Sequence, residues 1–330
     1  MSEPTIICVL GMHRSGTSLV AQVLHALNLD LGPDEHLMPA SSANPAGHWE
    51  HVPIQEMNDE ILLRLGGTWS QPPELAVGWE SKPEFDELRR QAREMIDADF
   101  SGSVCWGFKD PRNSLTLPFW QRILPPMRYV ICLRNPVDVA FSLKAREYEP
   151  LEFEQGIGLW LTYVRAAIAA TAAHPQQIIF YEDLMANPEP AVRQLSSFIG
   201  NDQSEAAEAY TGAAIRVAVS ESLWHHRTPL SNVIDEPRLP FSPKALYLAL
   251  RLFSSGLEGV GIGALDLLGA YAVDAERTQV DLERQLSGRR ADLERATELR
   301  AREQRCRQEL EAELAVAGVT LERATESWAK

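Results

Sequence analysis

The sequence predicts an α/β fold, a parallel sheet with helices on both faces making three layers, followed by a helical C-terminal extension. Three observations predict it. Four short apolar runs rich in β-branched residues have the continuous hydrophobicity of strands buried on both faces. Longer amphipathic patterns separate them, so strands alternate with helices. The first apolar run also breaks at a glycine-containing turn that leads straight into a helical pattern.

Thr5 to Leu10 (TIICVL) is the first strand and stops at Gly11; a helix follows from Thr17 to Asn28. Residues 32 to 57, rich in Pro, Gly, Asn and His, read as a long loop, and a loop of that length inside a compact domain is usually functional. Helical patterns then run near Pro53 to Leu65 and around Pro83 to Ala98. Val104 to Phe108 (VCWGF), Arg128 to Leu133 (RYVICL) and Gln177 to Tyr181 (QIIFY) are the other strands. Amphipathic helices fit Pro136 to Glu147, Glu152 to Ala173 and Pro188 to Gly200. The expected organisation is a catalytic-size domain over residues 1–235, a helical linker region over 236–274 and a coiled-coil-like helix over 275–330. That last stretch lacks Pro, balances its charges, and repeats Leu282, Leu286, Leu293, Leu310, Leu314 and Leu321 on a 4-3 spacing. Arg289, Arg300, Glu303 and Arg307 interrupt the seam, which leaves a solvent-laced single helix as the alternative to self-association.

With 330 residues, 45% hydrophobic and 23% charged, the chain has ordinary globular composition, which excludes wholesale disorder and a small disulfide scaffold. Its 31 Lys and Arg against 46 Asp and Glu give a net charge of -15, a balance that repels nucleic acid and anionic lipid. An anionic ligand therefore needs a local site to capture it. Cys8, Cys105, Cys132 and Cys306 are scattered without a C-x-x-C pair, and the N-terminus lacks the basic and apolar regions of a signal peptide. Ala245 to Tyr271 is broken by Arg251, Glu258, Asp266 and glycines, so no transmembrane span is expected and a cytoplasmic setting is.

The turn after the first strand reads Gly11-Met12-His13-Arg14-Ser15-Gly16-Thr17-Ser18. Between a strand and a helix, such a loop wraps backbone N–H groups around a phosphate and aims a helix N-terminus at it. The glycines and Ser18 match G-x-x-x-x-G-K-[ST], but Thr17 stands where a nucleotide triphosphatase needs its lysine, and the cation is displaced to Arg14. An ordinary glycine-containing turn is the plain alternative. A second pattern ends the third strand: Cys132-Leu133-Arg134-Asn135-Pro136, with Ser142 eight residues after Arg134. Asn135 suits a helix cap, Pro136 the first helical turn, and Arg134 offers a guanidinium fork to a phosphate. Taken singly, Arg134 is as well read as a surface ion pair and Ser142 as a solvated hydroxyl.

Together the two motifs resemble the sulfotransferase family, whose donor is 3'-phosphoadenosine 5'-phosphosulfate (PAPS), over about residues 5 to 230. The resemblance implies a P-loop-like sheet and a transferase that moves a sulfuryl group to an acceptor hydroxyl without a metal. It implies a 5'-phosphosulfate loop of Gly11, His13, Arg14, Ser15, Gly16, Thr17 and Ser18, with Arg14 on the sulfuryl group, and a 3'-phosphate site at Arg134 and Ser142. Arg227, in the basic cluster Leu223 to Arg227, is a further donor-binding candidate, because similar sequences close a basic C-terminal segment over the 3'-phosphate. The adjacent His225 and His226 do not read as a metal site, since neighbouring side chains point apart.

Sulfuryl transfer needs charge stabilisation and a base for the acceptor proton. Family members resembling this chain carry a segment similar to Lys109-Asp110-Pro111-Arg112; Lys109 is expected to stabilise the leaving group and Asp110 to orient a cation, the plain alternative being an Asp110–Arg112 ion pair. The loop Asn44 to His51 resembles the acceptor-side loop of bacterial carbohydrate-type sulfotransferases, and its Glu50, beside Trp49 and on the acceptor side alone, is the preferred base. His48, His51 and His13 remain candidates because imidazole titrates near neutrality. The leading acceptor is a carbohydrate or glycolipid hydroxyl, with a peptide or small alcohol as alternative; Trp49 and Trp69 suit stacking on sugars. Two rivals stand beside this reading: a P-loop nucleotide kinase or NTPase using Asp110 in a Walker B role, and a non-catalytic nucleotide-binding scaffold with a coiled-coil partner helix.

Overall fold

The computed structural model describes residues 4–41, 47–146, 148–200, 205–218, 230–254 and Arg295. Among them, strands β1 (Thr5–Leu10), β2 (Cys105–Lys109), β3 (Arg128–Leu133) and β4 (Gln176–Phe180) form one sheet in the order β2-β1-β3-β4. Every pair is parallel, with Val9 opposite Lys109, Leu10 opposite Ile131 and Leu133 opposite Phe180. β2 begins one residue later than the sequence suggests, because Val104 is exposed and only its carbonyl is used, by Thr5 N–H. β4 ends one residue earlier, because Tyr181 already opens a helix.

The helices are α1 (Thr17–Ala26), α2 (Val52–Arg64), α3 (Asp86–Phe100), α4 (Asn113–Ile123), α5 (Pro136–Lys144), α6 (Phe153–Thr171), α7 (Tyr181–Ala186), α8 (Pro188–Ile199), α9 (Glu205–Ala218), α10 (Leu230–Asp235) and α11 (Phe241–Ser254). Alternate residues of β1 divide the core into two layers, as the period of a strand requires. Ile6, Cys8 and Leu10 pack with α2 to α6, whereas Ile7 and Val9 pack with α1, α7, α8 and α9. The three-layer α/β fold expected from sequence is thus the one formed. Helix α4 is absent from the sequence reading because Pro118 lies inside it, where proline normally ends a helix.

The stretch after α10, assigned to a linker from sequence, includes α11, which packs on the domain. Tyr247 packs edge-on against Trp160 and Phe180, and Arg251 reaches both Glu182 and Asp183. The first compact unit accordingly runs to Gly269. A second unit is Ala270–Lys330. The coiled coil expected over 275–330 lies outside the described residues, Arg295 apart. No helix among the described residues is long and apolar enough to cross a membrane.

The chain leaves β1 toward β2 on one side and then crosses to β3 on the other. Sheets of this kind open a crevice beyond the strand ends at such a reversal. Here it falls at the C-terminal ends of β1 and β3, where the two sequence motifs begin. The loop between α1 and α2 is shorter than read from sequence, since α2 starts at Val52. Its neck is closed by a Leu37–His51 bridge and by Met38 N–H donating to the Glu50 carbonyl.

Candidate active site

The loop leaving β1 is built on positive φ. Gly11 has φ 143° and lies so close to β3 that a Cβ there would stand 2.5 Å from the Cys132 carbonyl oxygen. Arg14 (φ 68°) and Gly16 (φ 88°) turn the chain through the left-handed region, and a Cβ on Gly16 would meet the Tyr181 ring at 2.3 Å. Helix α1 then starts at Thr17 with no side-chain cap on its first N–H groups. Those donors and the positive helix end are what an anion needs. The Ser15 hydroxyl, buried and without a hydrogen-bond partner among the described residues, lies in the same loop. Ser114 of α4, which the sequence did not point to, accepts from Gly11 N–H at 3.0 Å and fixes the loop's start.

The second motif meets the first directly. Arg14 Nε donates to Ser142 Oγ at 2.8 Å, and Arg134 donates to the Arg14 carbonyl at 3.2 Å. Arg134 also lies 4.7 Å from the centre of the Tyr181 ring. Asn135 caps α5 by accepting from Val137 N–H at 2.9 Å, with Pro136 in the first turn, as its residue type dictates. Desolvation first, then the charges of Arg146 and Arg134, hold the Arg14 pKa below its usual value.

Lys109 ends β2 with its side chain fully buried. Its Nζ donates to Glu50 Oε1 at 2.7 Å and to Ser18 Oγ at 3.2 Å. Glu50 therefore pairs with a cation at the end of β2, and the neighbouring Trp49 ring lies 5.0 Å from the His25 ring. Asp110 is fully buried and accepts from the Arg112 N–H at 2.7 Å and from its guanidinium at 3.2 Å, so the local ion pair is the arrangement found. Burial pushes the Asp110 carboxyl up to about 6 against the pull of Arg112. Arg112 also reaches Asp59 of α2 at 2.5 Å.

The candidate histidines separate. His13 packs on Trp69 at 4.6 Å, with Tyr163 behind it, and burial followed by Arg112, Arg146, Lys109 and Arg14 pushes its pKa well below the ordinary value. His48 bonds to Ser41 Oγ at 2.7 Å, and burial lowers its pKa. His51 turns away toward Asp99 of α3, 2.9 Å off, so it is not brought to the crevice. Arg227, with its neighbours Leu223 to His226, lies outside the described residues. Arg146, which sits 4.7 Å from the Trp69 ring, had no motif to announce it.

A sequence model described as the sulfotransferase family matches residues 4–205. The chain belongs to the sulfotransferase family. The matched segment carries the glycine loop, Glu50, Lys109, Arg134 and Ser142. Among solved structures, this sulfotransferase is similar to STF9 from Mycobacterium avium (15% identity, TM-score 0.45, 79% of each chain covered). It is also similar to the sulfotransferase domain of the Synechococcus olefin synthase (18%, 0.41, 69% of this chain and 85% of that one). A third is mouse SULT7A1, complexed with PAP (13%, 0.37, 82% and 90%). No curated protein matches the chain.

Proposed function

We propose that this sulfotransferase takes its sulfuryl group from PAPS and gives it to a hydroxyl of a carbohydrate or glycolipid. The observation that carries the donor is the Arg14–Ser142 contact with Arg134 beside it, which gathers into one crevice the groups suited to a nucleotide with anions at both its 5' and 3' positions. The residues fit that group: two glycines whose Cβ atoms would collide with neighbours, an uncapped α1 and an unpartnered Ser15 hydroxyl form a cradle. Bound there, PAPS supplies a sulfuryl group activated by its link to phosphate. The loop N–H groups of Gly11 to Ser18, with Arg14, would hold the 5' end; Arg134 and Ser142 would hold the 3'-phosphate. Lys109 supplies positive charge toward the leaving side, as fixed cations do best in a dry site. Glu50, with Oε1 engaged by Lys109, has Oε2 to take the acceptor's proton. Trp69, His13 and Arg146 form an aromatic and cationic wall suited to a sugar ring. A reducing cytoplasm and self-association through residues 275–330 belong to the same reading; a light-scattering mass of one chain would refute the latter.

The kinase reading is weakened by one contact. In P-loop NTPases the hydroxyl at the Ser18 position holds Mg²⁺, whereas here Lys109 places a fixed ammonium on it. Calorimetry with 3'-phosphoadenosine 5'-phosphate, ADP and ATP, each with and without Mg²⁺, tests the donor. A charge-assisted contact is worth about 1.5–3 kcal/mol, so the 3'-phosphate should improve affinity about tenfold or more, independently of Mg²⁺. Equal affinity for the first two, or Mg²⁺-dependent ATP binding, would overturn the assignment.

A further inference from the structure

We propose that His36, His51 and Asp99 form a binding site for one divalent transition metal ion of the zinc class, at the neck of the loop that carries Glu50. The three come from separate elements: the turn Asp34–His36, the residue before α2, and the last turn of α3. His36 Nδ1 and His51 Nε2 each lie 2.9 Å from the same oxygen, Asp99 Oδ2. The three ligand atoms are within 4.8 Å of one another, and the two imidazoles stand edge to face at 89°.

Hydrogen bonding alone does not account for this cluster. His51 is 1% exposed, and neither ring nitrogen has a hydrogen-bond partner among the described residues, although Nε2 stands 2.9 Å from Asp99 Oδ2. A metal ion supplies the missing partner. With Zn–N and Zn–O bonds of about 2.0–2.2 Å, two ligand atoms of a tetrahedral site stand a little over 3 Å apart, so each imidazole nitrogen, now 2.9 Å from the carboxylate oxygen, opens slightly from it, and the two nitrogens, within 4.8 Å of each other, settle to the same spacing. Two imidazoles and one carboxylate suit zinc-class ions, whereas Ca²⁺ and Mg²⁺ prefer oxygen throughout. His36, 40% exposed, gives the site an open side where water completes the coordination.

The site is separate from the donor crevice and does not depend on the reading of the reaction. Its effect would be mechanical. Leu37 and Met38 already pair with His51 and Glu50 across the neck, and a metal ion would fasten both strands of it to α3.

The full chain, freed of any affinity tag and treated with chelator, is titrated with Zn²⁺ in a calorimeter and with Co²⁺ in the visible range. Expected are one saturable Zn²⁺ site and Co²⁺ ligand-field bands of low coordination number. His36→Ala, a replacement of an exposed side chain, should weaken Zn²⁺ at least about 100-fold, since loss of even an outer-shell partner costs 10–100-fold. X-ray absorption of the zinc-loaded chain, which needs no variant, should show two imidazoles and no sulfur. Absence of a saturable site overturns the proposal. So does Zn²⁺ affinity that survives His36→Ala but falls when His225 and His226 are both replaced by alanine, and so do sulfur ligands in the absorption spectrum.

Discussion

Lys109 Nζ donates to Glu50 Oε1 across 2.7 Å, with the lysine side chain fully buried and that of Glu50 10% exposed. Two residues to which the sequence assigns opposite tasks, leaving-group cation and acceptor base, are one ion pair. Lys109 ends β2 and Glu50 lies just before α2, so the pair fastens the loop leading into α2 to the edge of the sheet. Neither charge can be removed without leaving the other uncompensated.

Glu50→Gln should consequently do two things at once. Breaking a buried pair on one side costs about 3–5 kcal/mol of stability, and losing a general base costs about 10² to 10⁴ in turnover. A double-mutant cycle with Lys109→Met separates them. In the Lys109→Met background the stability cost of Glu50→Gln, read by urea unfolding, should largely vanish, while the drop in kcat should persist. If kcat also stops responding to Glu50 in that background, its task is to hold Lys109, and the base moves to His13 or His48.

Two glycines of the loop after β1, compared with Gly66 just past the end of α2, make graded predictions. Gly66→Ala, at φ 85° with nothing within 4 Å of the new Cβ, should cost only the left-handed backbone term of about 1–2 kcal/mol and leave 3'-phosphoadenosine 5'-phosphate binding intact. Gly16→Ala should cost more and also weaken that binding, because the Tyr181 ring it displaces lies against Arg134. Gly11→Ala should be the worst of the three, since the obstructing atom is a β3 carbonyl oxygen that cannot rotate away. Thermal denaturation and calorimetry of the three variants check the order.

What was legible in the sequence follows from how local each signal is. The strands were, because TIICVL and RYVICL are buried on both faces and apolar throughout. The Asn135-Pro136 helix start was, because capping is settled within a few residues. Helix α4 was hidden by Pro118, and the Leu37–His51 neck by the polar composition around it. The direct contact of Arg14 with Ser142, and that of Lys109 with Glu50, arise from parallel register and crossover, which no single segment records. His51 is a base candidate in sequence because imidazole titrates near neutrality; its partner Asp99 comes from α3, far along the chain.

Asn58 is another such long-range residue and carries its own prediction. Fully buried on α2, it accepts from Thr116 Oγ1 at 2.7 Å and Trp120 Nε1 at 2.9 Å, and donates to Asn113 Oδ1 at 2.7 Å. Asn58→Ala strands Trp120 Nε1 and Asn113 Oδ1 in the core, while Thr116 Oγ1 keeps the Arg112 carbonyl at 3.1 Å, at about 1–3 kcal/mol for each buried polar group left unsatisfied. A loss of at least about 3 kcal/mol in urea unfolding is expected; a loss under about 1 kcal/mol would mean that α2 and α4 are held together by apolar packing alone.

The buried Asp110 gives stability a pH dependence whose sign is fixed by its environment. Burial raises its pKa from 3.8 to about 6, with Arg112 pulling the other way. Because the folded value lies above the unfolded one, the folded state holds a proton that the unfolded state has released between those two values. This group's favourable contribution is therefore lost as pH rises toward and through about 6. Asp110→Asn resembles the protonated form and cannot ionise. Relative to wild type, its stability should improve between pH 5 and pH 7.5 by about 1 kcal/mol. Comparing the two proteins at both pH values cancels the titration of every other group they share. A shift of the opposite sign would mean that the Arg112 contacts outweigh desolvation, and that Asp110 is a carboxylate held charged by its neighbour at every pH where the protein folds.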